Sequence, residues 1–455
     1  MWPTGPAVPI AGRRFHAFTA KHLDELTARA GLSATDRLAV RAVATVLPFR
    51  TNAYVVDNLI DWEAAPDDPI YRLVFPQADM LPGEDVSRIA ALLDRGAPDA
   101  EVKAAAHEVR MRLNPHPAGQ LALNTPALDD EPLPGLQHKY PETVLLFPKQ
   151  GQTCHAYCTY CFRWAQFVDE PDLKMSMGDA NLLVTYLLGH PEVTGVLITG
   201  GDPMIMGAPV LRRYIEPMLD PRLGNLESIR IGSKSLGYWP QRFVTDPDAD
   251  DTLRLFEEVV AAGRTLAFMA HFSHPRELES PVVAEAVRRI QATGAIIRTQ
   301  APLIRTINDD PATWAGMWRT QVRMGMVPYY MFVERDTGPQ DYFAVPLARG
   351  YEVFRDAYRT VSGLCRTVRG PSMSATPGKV CVDGITEIAG ERVFVLHMIQ
   401  SRDPSLVGRP FFARFDPAAV WLSDLEPAFA SRFPFEPSPG ELPGLWPQKL
   451  LEPAS

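Results

Sequence analysis

Three of the chain's five cysteines, Cys154, Cys158 and Cys161, fall within eight residues in a C-x3-C-x2-C spacing. Core packing does not concentrate thiols in this way, because buried structural cysteines behave as small, scattered hydrophobes. Three thiolates on one short loop can ligate three irons of a [4Fe-4S] cluster and leave the fourth iron open to a substrate-like molecule. Structural zinc is the competing chemistry, but it asks for four closed ligands, and His155 lies inside the loop where it is poorly placed as the fourth. Further along, Gly200-Gly201-Asp202-Pro203 ends an apolar run. Paired glycines at a strand end let the backbone approach a ligand closely, and the adjacent carboxylate can accept hydrogen bonds from an ammonium group. Taken alone, the same tetrapeptide is also an ordinary strand-to-turn junction.

Groups of this kind need a scaffold, and from Val144 onward the sequence supplies one. Short apolar runs at 144–147, 196–199, 228–231, 265–272, 295–299 and 329–333 read as buried parallel strands. Between them, 180–190, 251–262, 281–293, 311–324 and 348–361 carry helical spacing. This alternation implies βα units on a parallel sheet, an α/β fold, and six units predict a partial (β/α)6 barrel rather than a closed eight-fold one. The residues with chemistry cluster at strand C-terminal ends, where α/β sites are built. Ahead of this unit, assigned to 131–390, residues 1–130 form a helical N-terminal region. Its helices are expected near 23–32, after a cap at Ser33 or Thr35, and across 85–113, with a proline-rich linker at 114–130. Behind it, a short strand at 393–397 leads into a C-terminal extension, 391–455, that covers the domain or joins subunits.

The 455 residues, 46% hydrophobic and 22% charged, describe a soluble globular protein with one large domain and additions. With 31 glycines and 43 prolines the chain stays below the level that signals disorder. A formal charge of −9 argues against a nucleic-acid partner, since phosphate neutralisation needs a basic surface. No run approaches the roughly 18 apolar residues of a membrane span. The N-terminal residues lack a basic-then-apolar signal pattern, so a cytoplasmic location is expected. A reducing compartment also suits cluster-ligating thiolates, and Cys365 and Cys381 need no disulfide.

The cysteine loop followed by GGDP resembles the radical S-adenosylmethionine enzymes, in which such a strand end holds the methionyl amine. The resemblance then narrows. PLPGLQHKYPETVLLF at 132–147, ITGGDP at 198–203, RIGSK at 230–234, AHFSHP at 270–275, RTQAPLIRTIND at 298–309 and PYY at 328–330 follow the order and approximate spacing of lysine 2,3-aminomutase-like proteins. The early DWEAAPDDPI at 61–70 also looks like that family, so the likeness runs from about residue 50 to about 385. It implies an isomerase that uses a [4Fe-4S] cluster, S-adenosylmethionine and pyridoxal 5′-phosphate to take a hydrogen from C3 of an amino acid and move the amino group from C2 to C3. An electron donor such as a flavodoxin or ferredoxin, a small amino-acid substrate and a homo-oligomer are implied with it.

By position the resemblance assigns the cluster to Cys154, Cys158 and Cys161, and the S-adenosylmethionine surroundings to Gly200, Gly201, Asp202, Ser233 and His271. It assigns the covalent pyridoxal link to Lys379, with Gln300 and Lys139 accompanying the cofactor. Arg163 would grip the substrate α-carboxylate, for which a planar guanidinium fork is suited. Plainer uses stay open: Arg163 can balance charge beside the loop, Lys139 can be a solvated surface lysine, and His271 and His274 can be hydrogen-bonded structural histidines. The glycine run that precedes the family's lysine is reduced here to Pro377-Gly378. That keeps open a radical enzyme without pyridoxal phosphate, acting differently on a small metabolite, and a cluster-bearing sensor.

One departure bears on substrate. Lysine enzymes hold the distal ammonium with two aspartates, and the corresponding positions here are Arg335 and Ser372. An arginine facing an ammonium in a low-dielectric pocket is repulsive by roughly several kcal/mol. Lysine should therefore be rejected and a distal carboxylate accepted, glutamate being the simplest case. Asp336 adjoins Arg335, and a bulge turning it inward would restore lysine as substrate. No cysteine follows Cys381, so the C-terminal cysteine zinc site of some lysine aminomutases has no counterpart, and no zinc site is expected.

Overall fold

A computed structural model describes residues 14–436; the first thirteen residues and the end of the proline-rich extension, 437–455, lie outside the described residues. The main sheet has eleven strands that sit side by side in chain order. They are β1 (Leu136–Tyr140), β2 (Thr143–Leu146), β3 (Gly195–Ile198), β4 (Ser228–Ser233), β5 (Thr265–His271), β6 (Ile296–Leu303), β7 (Val327–Val333), β8 (Arg369–Ser374), β9 (Gly378–Ile388), β10 (Glu391–Ser401) and β11 (Pro410–Arg414). Strands β2 to β8 are parallel, β1 is antiparallel on one edge, and β9 to β11 are antiparallel on the other. Between successive parallel strands lie α1 (Ala180–Leu188), α2 (Ala208–Ile215), α3 (Ala249–Ala261), α4 (Pro281–Ala292), α5 (Pro311–Arg323) and α6 (Leu347–Arg359). The six βα units read from the alternation are present, and a seventh parallel strand, β8, follows them.

Side-chain alternation explains how the sheet divides its faces. Val196 and Ile198 on β3 and Ile229 and Ile231 on β4 are buried in the core under the helices. Their neighbours Leu197, Arg230 and Gly232 are only half-buried, as residues on the opposite face of a pleated strand should be. Asp179 and Asp310 start α1 and α5 by accepting from Asn181 N at 2.9 Å and Thr313 N at 2.9 Å. The sheet does not lie flat: Lys139 Nζ on β1 donates to Ala375 O beyond β8, and Gln400 Nε2 on β10 donates to Glu142 Oε1 at 2.5 Å. The half-buried face is thus concave.

Strands β1, β8, β9 and β11 fall where no strand was expected, and β10 extends well beyond 393–397. Polar residues such as Asp383, Thr386, Glu387 and Arg392 mask the hairpin, because one of its faces is open. The other face buries Val380, Val382, Phe394, Leu396 and Met398 against Trp421, Leu425 and Phe433 of the extension. The overlooked signal was Ala389-Gly390, a two-residue turn with both φ positive, 52° and 81°, that sets Ile388 opposite Glu391.

In the N-terminal region, Ser33 is the residue that caps the helix Ala34–Val46, accepting from Asp36 N at 3.2 Å. The 85–113 segment is two helices, Gly83–Asp94 and Asp99–Arg112, because Gly96 turns the chain at φ 65° and Pro98 precedes the second. Residues 114–130 have little regular structure, yet Gln120 and Asn124 are buried. Tyr54, Tyr71 and Phe75 of this region share one core with Tyr160, Trp164, Tyr238 and Trp239. Among the described residues no helix is long and apolar enough to cross a membrane.

Asp68 joins the two layers. Fully buried, it caps the helix Pro69–Val74 through Tyr71 N at 2.8 Å and accepts Arg276 Nη1, from the turn after β5, at 2.5 Å. Asp68→Ala removes a cap worth about 1 kcal/mol and a charge-assisted bond worth about 1.5–3, so a loss of about 2–4 kcal/mol is expected in urea unfolding. Asp68→Asn retains the cap and should lose less; equal losses would show that the cap contributes nothing and that the pair to Arg276 carries the whole effect.

Candidate active site

The cysteine loop follows β2 and is held from two sides by backbone hydrogen bonds. On the sheet side, Gly201 N donates to Gly151 O at 3.0 Å and Asp202 N to Thr153 O at 2.8 Å. A Cβ on Gly201 would overlap the Thr153 backbone, and Gly200 sits at φ 140° with its would-be Cβ on the Gln152 amide. The glycine pair is therefore required first to admit the loop. On the other side the N-terminal region grips it: Tyr157 N donates to Arg50 O at 2.8 Å, Thr159 N to Leu73 O at 2.9 Å and Asn52 Nδ2 to His155 O at 3.2 Å.

The three thiols do not gather within 4.8 Å of one another, the crowding a single bound ion would impose. A cluster spreads its ligands further, so the donor set and its spacing fit a [4Fe-4S] group better than zinc. Burial pushes all three thiols up, the cost of enclosing thiolates until metal offsets it. His155 does not join two of the loop thiols in a group within 4.8 Å of one another; burial holds its ring neutral, with a pKa of about 3, and it packs edge-on against Phe15.

Asp202 is buried at the end of β3, and its carboxylate accepts from Ser233 Oγ at 2.8 Å, Lys234 N at 2.9 Å and Met204 N at 2.9 Å. It thereby ties β3 to β4, a use of the carboxylate that sequence reasoning did not foresee. His271, at the end of β5, bonds through Nε2 to Tyr160 OH at 2.7 Å, and that hydroxyl also meets Ser273 Oγ at 2.8 Å. Burial and Lys234 keep His271 neutral. His274 instead caps a short turn, its Nδ1 accepting from Arg276 N at 3.3 Å, which is the structural use left open for it.

Arg163 and Arg335 flank one ring. Their guanidinium carbons both lie 4.9 Å from the centroid of Phe162, and Arg163 also lies 4.6 Å from that of Phe147. Arg163 Nη1 donates to Thr199 Oγ1 at 2.6 Å and Gly200 O at 3.1 Å. Its Nε, and both Nε and Nη2 of Arg335, are enclosed without a partner. Burial, then mutual repulsion, brings the pKa of Arg163 down to about 10, and burial lowers Arg335 also. Asp336 turns toward Asn114, which donates to its backbone oxygen at 2.6 Å; its Oδ1 is enclosed and unpartnered. Ser372 is fully buried on β8, opposite Phe332 of β7.

Lys379 lies on β9 with Nζ 4.3 Å from the Tyr330 ring centroid, 5.7 Å from that of Phe332, and 3.2 Å from Gln400 Oε1. Burial, with Arg230 and Arg369 adding repulsion, lowers its pKa to about 7. An amine about half uncharged at neutrality is a nucleophile ready for a carbonyl, so Lys379 fits a pyridoxal-linking residue. Lys139 is no solvated surface lysine: burial and the nearby Arg335, Arg402 and Lys379 hold its amine well below the ordinary range. Gln300 is half-buried on β6, in register with His271. Sequence reasoning missed Arg230, whose Nη2 reaches Thr143 Oγ1 at 3.1 Å with Nε unpartnered, and Arg369, 4.5 Å over Tyr330. For Arg230, an isolated arginine in a strand-forming run was the available signal.

No protein-family model matches the chain. It is 30% identical over 390 residues to a provisionally named L-lysine 2,3-aminomutase of Aquifex aeolicus, covering 86% of this chain and 90% of that one. It is 28% identical over 235 residues to the L-lysine 2,3-aminomutase of Fusobacterium nucleatum, spanning about half of each, 52% and 52%. Among solved structures, a radical SAM methyltransferase from Sphaerobacter thermophilus aligns with 63% of this chain and 93% of its own at 14% identity and a TM-score of 0.35.

Two outcomes follow from the geometry. Gly201→Ala should displace the loop and leave the reconstituted protein with less than about half the wild-type iron while far-UV circular dichroism is retained; full iron loading would show the close approach to be dispensable. Lys379 should be trapped by pyridoxal phosphate and borohydride with a half-maximal rate near pH 7 instead of 10.5. The sign in stability is fixed too: between those values the unfolded chain binds a proton that the folded one does not, so stability without added pyridoxal phosphate rises with pH. Lys379→Met should flatten that rise.

Proposed function

The chain belongs to the lysine 2,3-aminomutase family of radical S-adenosylmethionine enzymes, and within that family we propose that it moves the α-amino group to C3 of an amino acid with a distal carboxylate, glutamate being the simplest. The observation that carries this reading is the pair of guanidinium groups against Phe162 with enclosed, unpartnered N–H donors. A buried cation without a counter-ion is strongly unfavourable, and a dicarboxylate supplies two counter-ions at once. Ser372 supports it by offering no negative charge to an ammonium.

We read the concave sheet as the partial barrel that houses the reaction. Cys154, Cys158 and Cys161 would hold a [4Fe-4S] cluster, the strand ends at Gly200, Asp202, Ser233 and His271 would border S-adenosylmethionine, and Lys379 would carry pyridoxal phosphate. Together these groups supply hydrogen-atom abstraction and an electron-accepting ring, given an electron from a donor such as flavodoxin or ferredoxin. Arg163 binds and orients the α-carboxylate from its seat on Thr199 and the Gly200 carbonyl. Arg335 binds the distal carboxylate. Tyr330 and Phe332 cover Lys379 and exclude water from its amine, keeping it able to give up and recover a proton at Nζ. Arg230, Arg369 and Lys139 supply positive charge for a phosphate.

Asp336 supports a second reading. Its unpartnered Oδ1 beside Arg335 is an acceptor that a lysine ammonium could use.

The deciding experiment is an anaerobic assay of the reconstituted protein with S-adenosylmethionine, reductant and pyridoxal phosphate, offering glutamate, aspartate, lysine and arginine and detecting β-amino acids and 5′-deoxyadenosine by mass spectrometry. β-Glutamate is expected, and Arg335→Met should lower kcat/KM for glutamate by about 100-fold or more, the scale for removing one partner of a buried charge pair. β-Lysine as the product would transfer the role to Asp336. Deoxyadenosine without any β-amino acid would overturn the aminomutase assignment.

A further inference from the structure

Two residues beyond Lys379, the β9–β10 hairpin carries donors that the proposed reaction does not use. Cys381 Sγ, a carboxylate oxygen of Asp383 and a ring nitrogen of His397 all lie within 4.8 Å of one another, and no other trio of His, Cys, Asp or Glu among the described residues does so. Their convergence follows from the register. Cys381 pairs with His397 across the two antiparallel strands, and the ladder is irregular between Val382 and Gly384, which places Asp383 at a bulge. Bulges re-aim side chains, and here the carboxylate reaches His397 Nδ1 at 2.5 Å. The thiol is buried, whereas Asp383 is exposed and His397 half-buried, so an ion can arrive from solvent.

We propose that Cys381, Asp383 and His397 form a zinc site that staples β9 to β10 beside Lys379. A thiolate and an imidazole select a borderline-soft ion over calcium or magnesium, and three protein ligands leave a fourth tetrahedral position for water. The charges close: one thiolate and one carboxylate neutralise a divalent ion, with the imidazole neutral. Burial and the Asp383 carboxylate push the Cys381 thiol up in the absence of an ion, with Arg369 acting weakly the other way. The set is separate from the cysteine loop and contains one cysteine, so it is a different construction from the C-terminal cysteine site expected to be missing. Its place on the hairpin gives it a positioning role, fixing β9 on one side of Lys379 while Gln400 engages the amine.

The test is metal content of the full chain after exposure to zinc and desalting, measured with iron by mass spectrometry. The holoprotein and a Cys154→Ala/Cys158→Ala/Cys161→Ala variant, which cannot hold the cluster, should each retain one zinc per chain. Cys381→Ser and His397→Ala, made in the holoprotein, should keep their iron and weaken zinc retention at least about tenfold. Cobalt(II) bound to the triple variant should show a thiolate-to-metal absorption band that Cys381→Ser abolishes. Zinc retained equally by Cys381→Ser and His397→Ala, or by none of the proteins, would overturn the site and leave a hydrogen-bonded trio. Should the triple variant fail to fold, the zinc-to-iron ratio in the holoprotein pair decides.

Discussion

Positive charge enclosed without matching negative charge is the constraint around which this molecule is arranged. The chain as a whole is acidic at −9, yet its concave face gathers Arg163, Arg335, Arg230, Lys139 and Lys379. Burial weakens the charged form of each; arginines push Lys379 and Lys139 further, and Lys379 also acts on Lys139. The protein tempers this with aromatic faces, Phe147, Phe162 and Tyr330, and with backbone carbonyls at Gly200 and Ala375. What it does not provide is a set of carboxylates. Of the acids nearby, Asp202 is occupied by three donors from its own chain and Glu142 accepts from Gln400, which leaves Asp336 beside Arg335 with one oxygen unpartnered.

Much of this was legible in the sequence, and the boundary has a physical explanation. The six βα units could be read because a buried parallel strand is apolar throughout and its helix carries a 3.6-residue stripe. The cysteine loop, Lys379 and Arg335 could be read because their positions are fixed relative to motifs. The β9–β10 hairpin could not, since one open face breaks the apolar run and only Ala389-Gly390 announces the turn. Family resemblance singled out Gly200-Gly201 for a cofactor, whereas their close neighbour in the structure is the protein's own loop.

Least legible was the part played by the N-terminal region. It reads as a separate helical layer, but its Arg50, Asn52, Arg72 and Leu73 hold the cysteine loop. Three of those four contacts are made by backbone carbonyls, which any residue supplies, so no side-chain pattern marks them. Asn52 is the exception. It caps the helix Ala53–Asn58 through Oδ1 while its amide bridges His155 O and Tyr238 O, using one side chain to join three segments.

That double grip on the loop bears on how the protein matures. A loop fixed on one side by Gly201 and Asp202 and on the other by Asn52 and Leu73 is held by chain-to-chain bonds, none of which uses a cluster thiol. Cluster insertion is then delivery into a finished receptacle, unlike small metal domains in which the ion drives folding. Chains awaiting iron should accordingly persist as native-like protein instead of being cleared as unfolded ones.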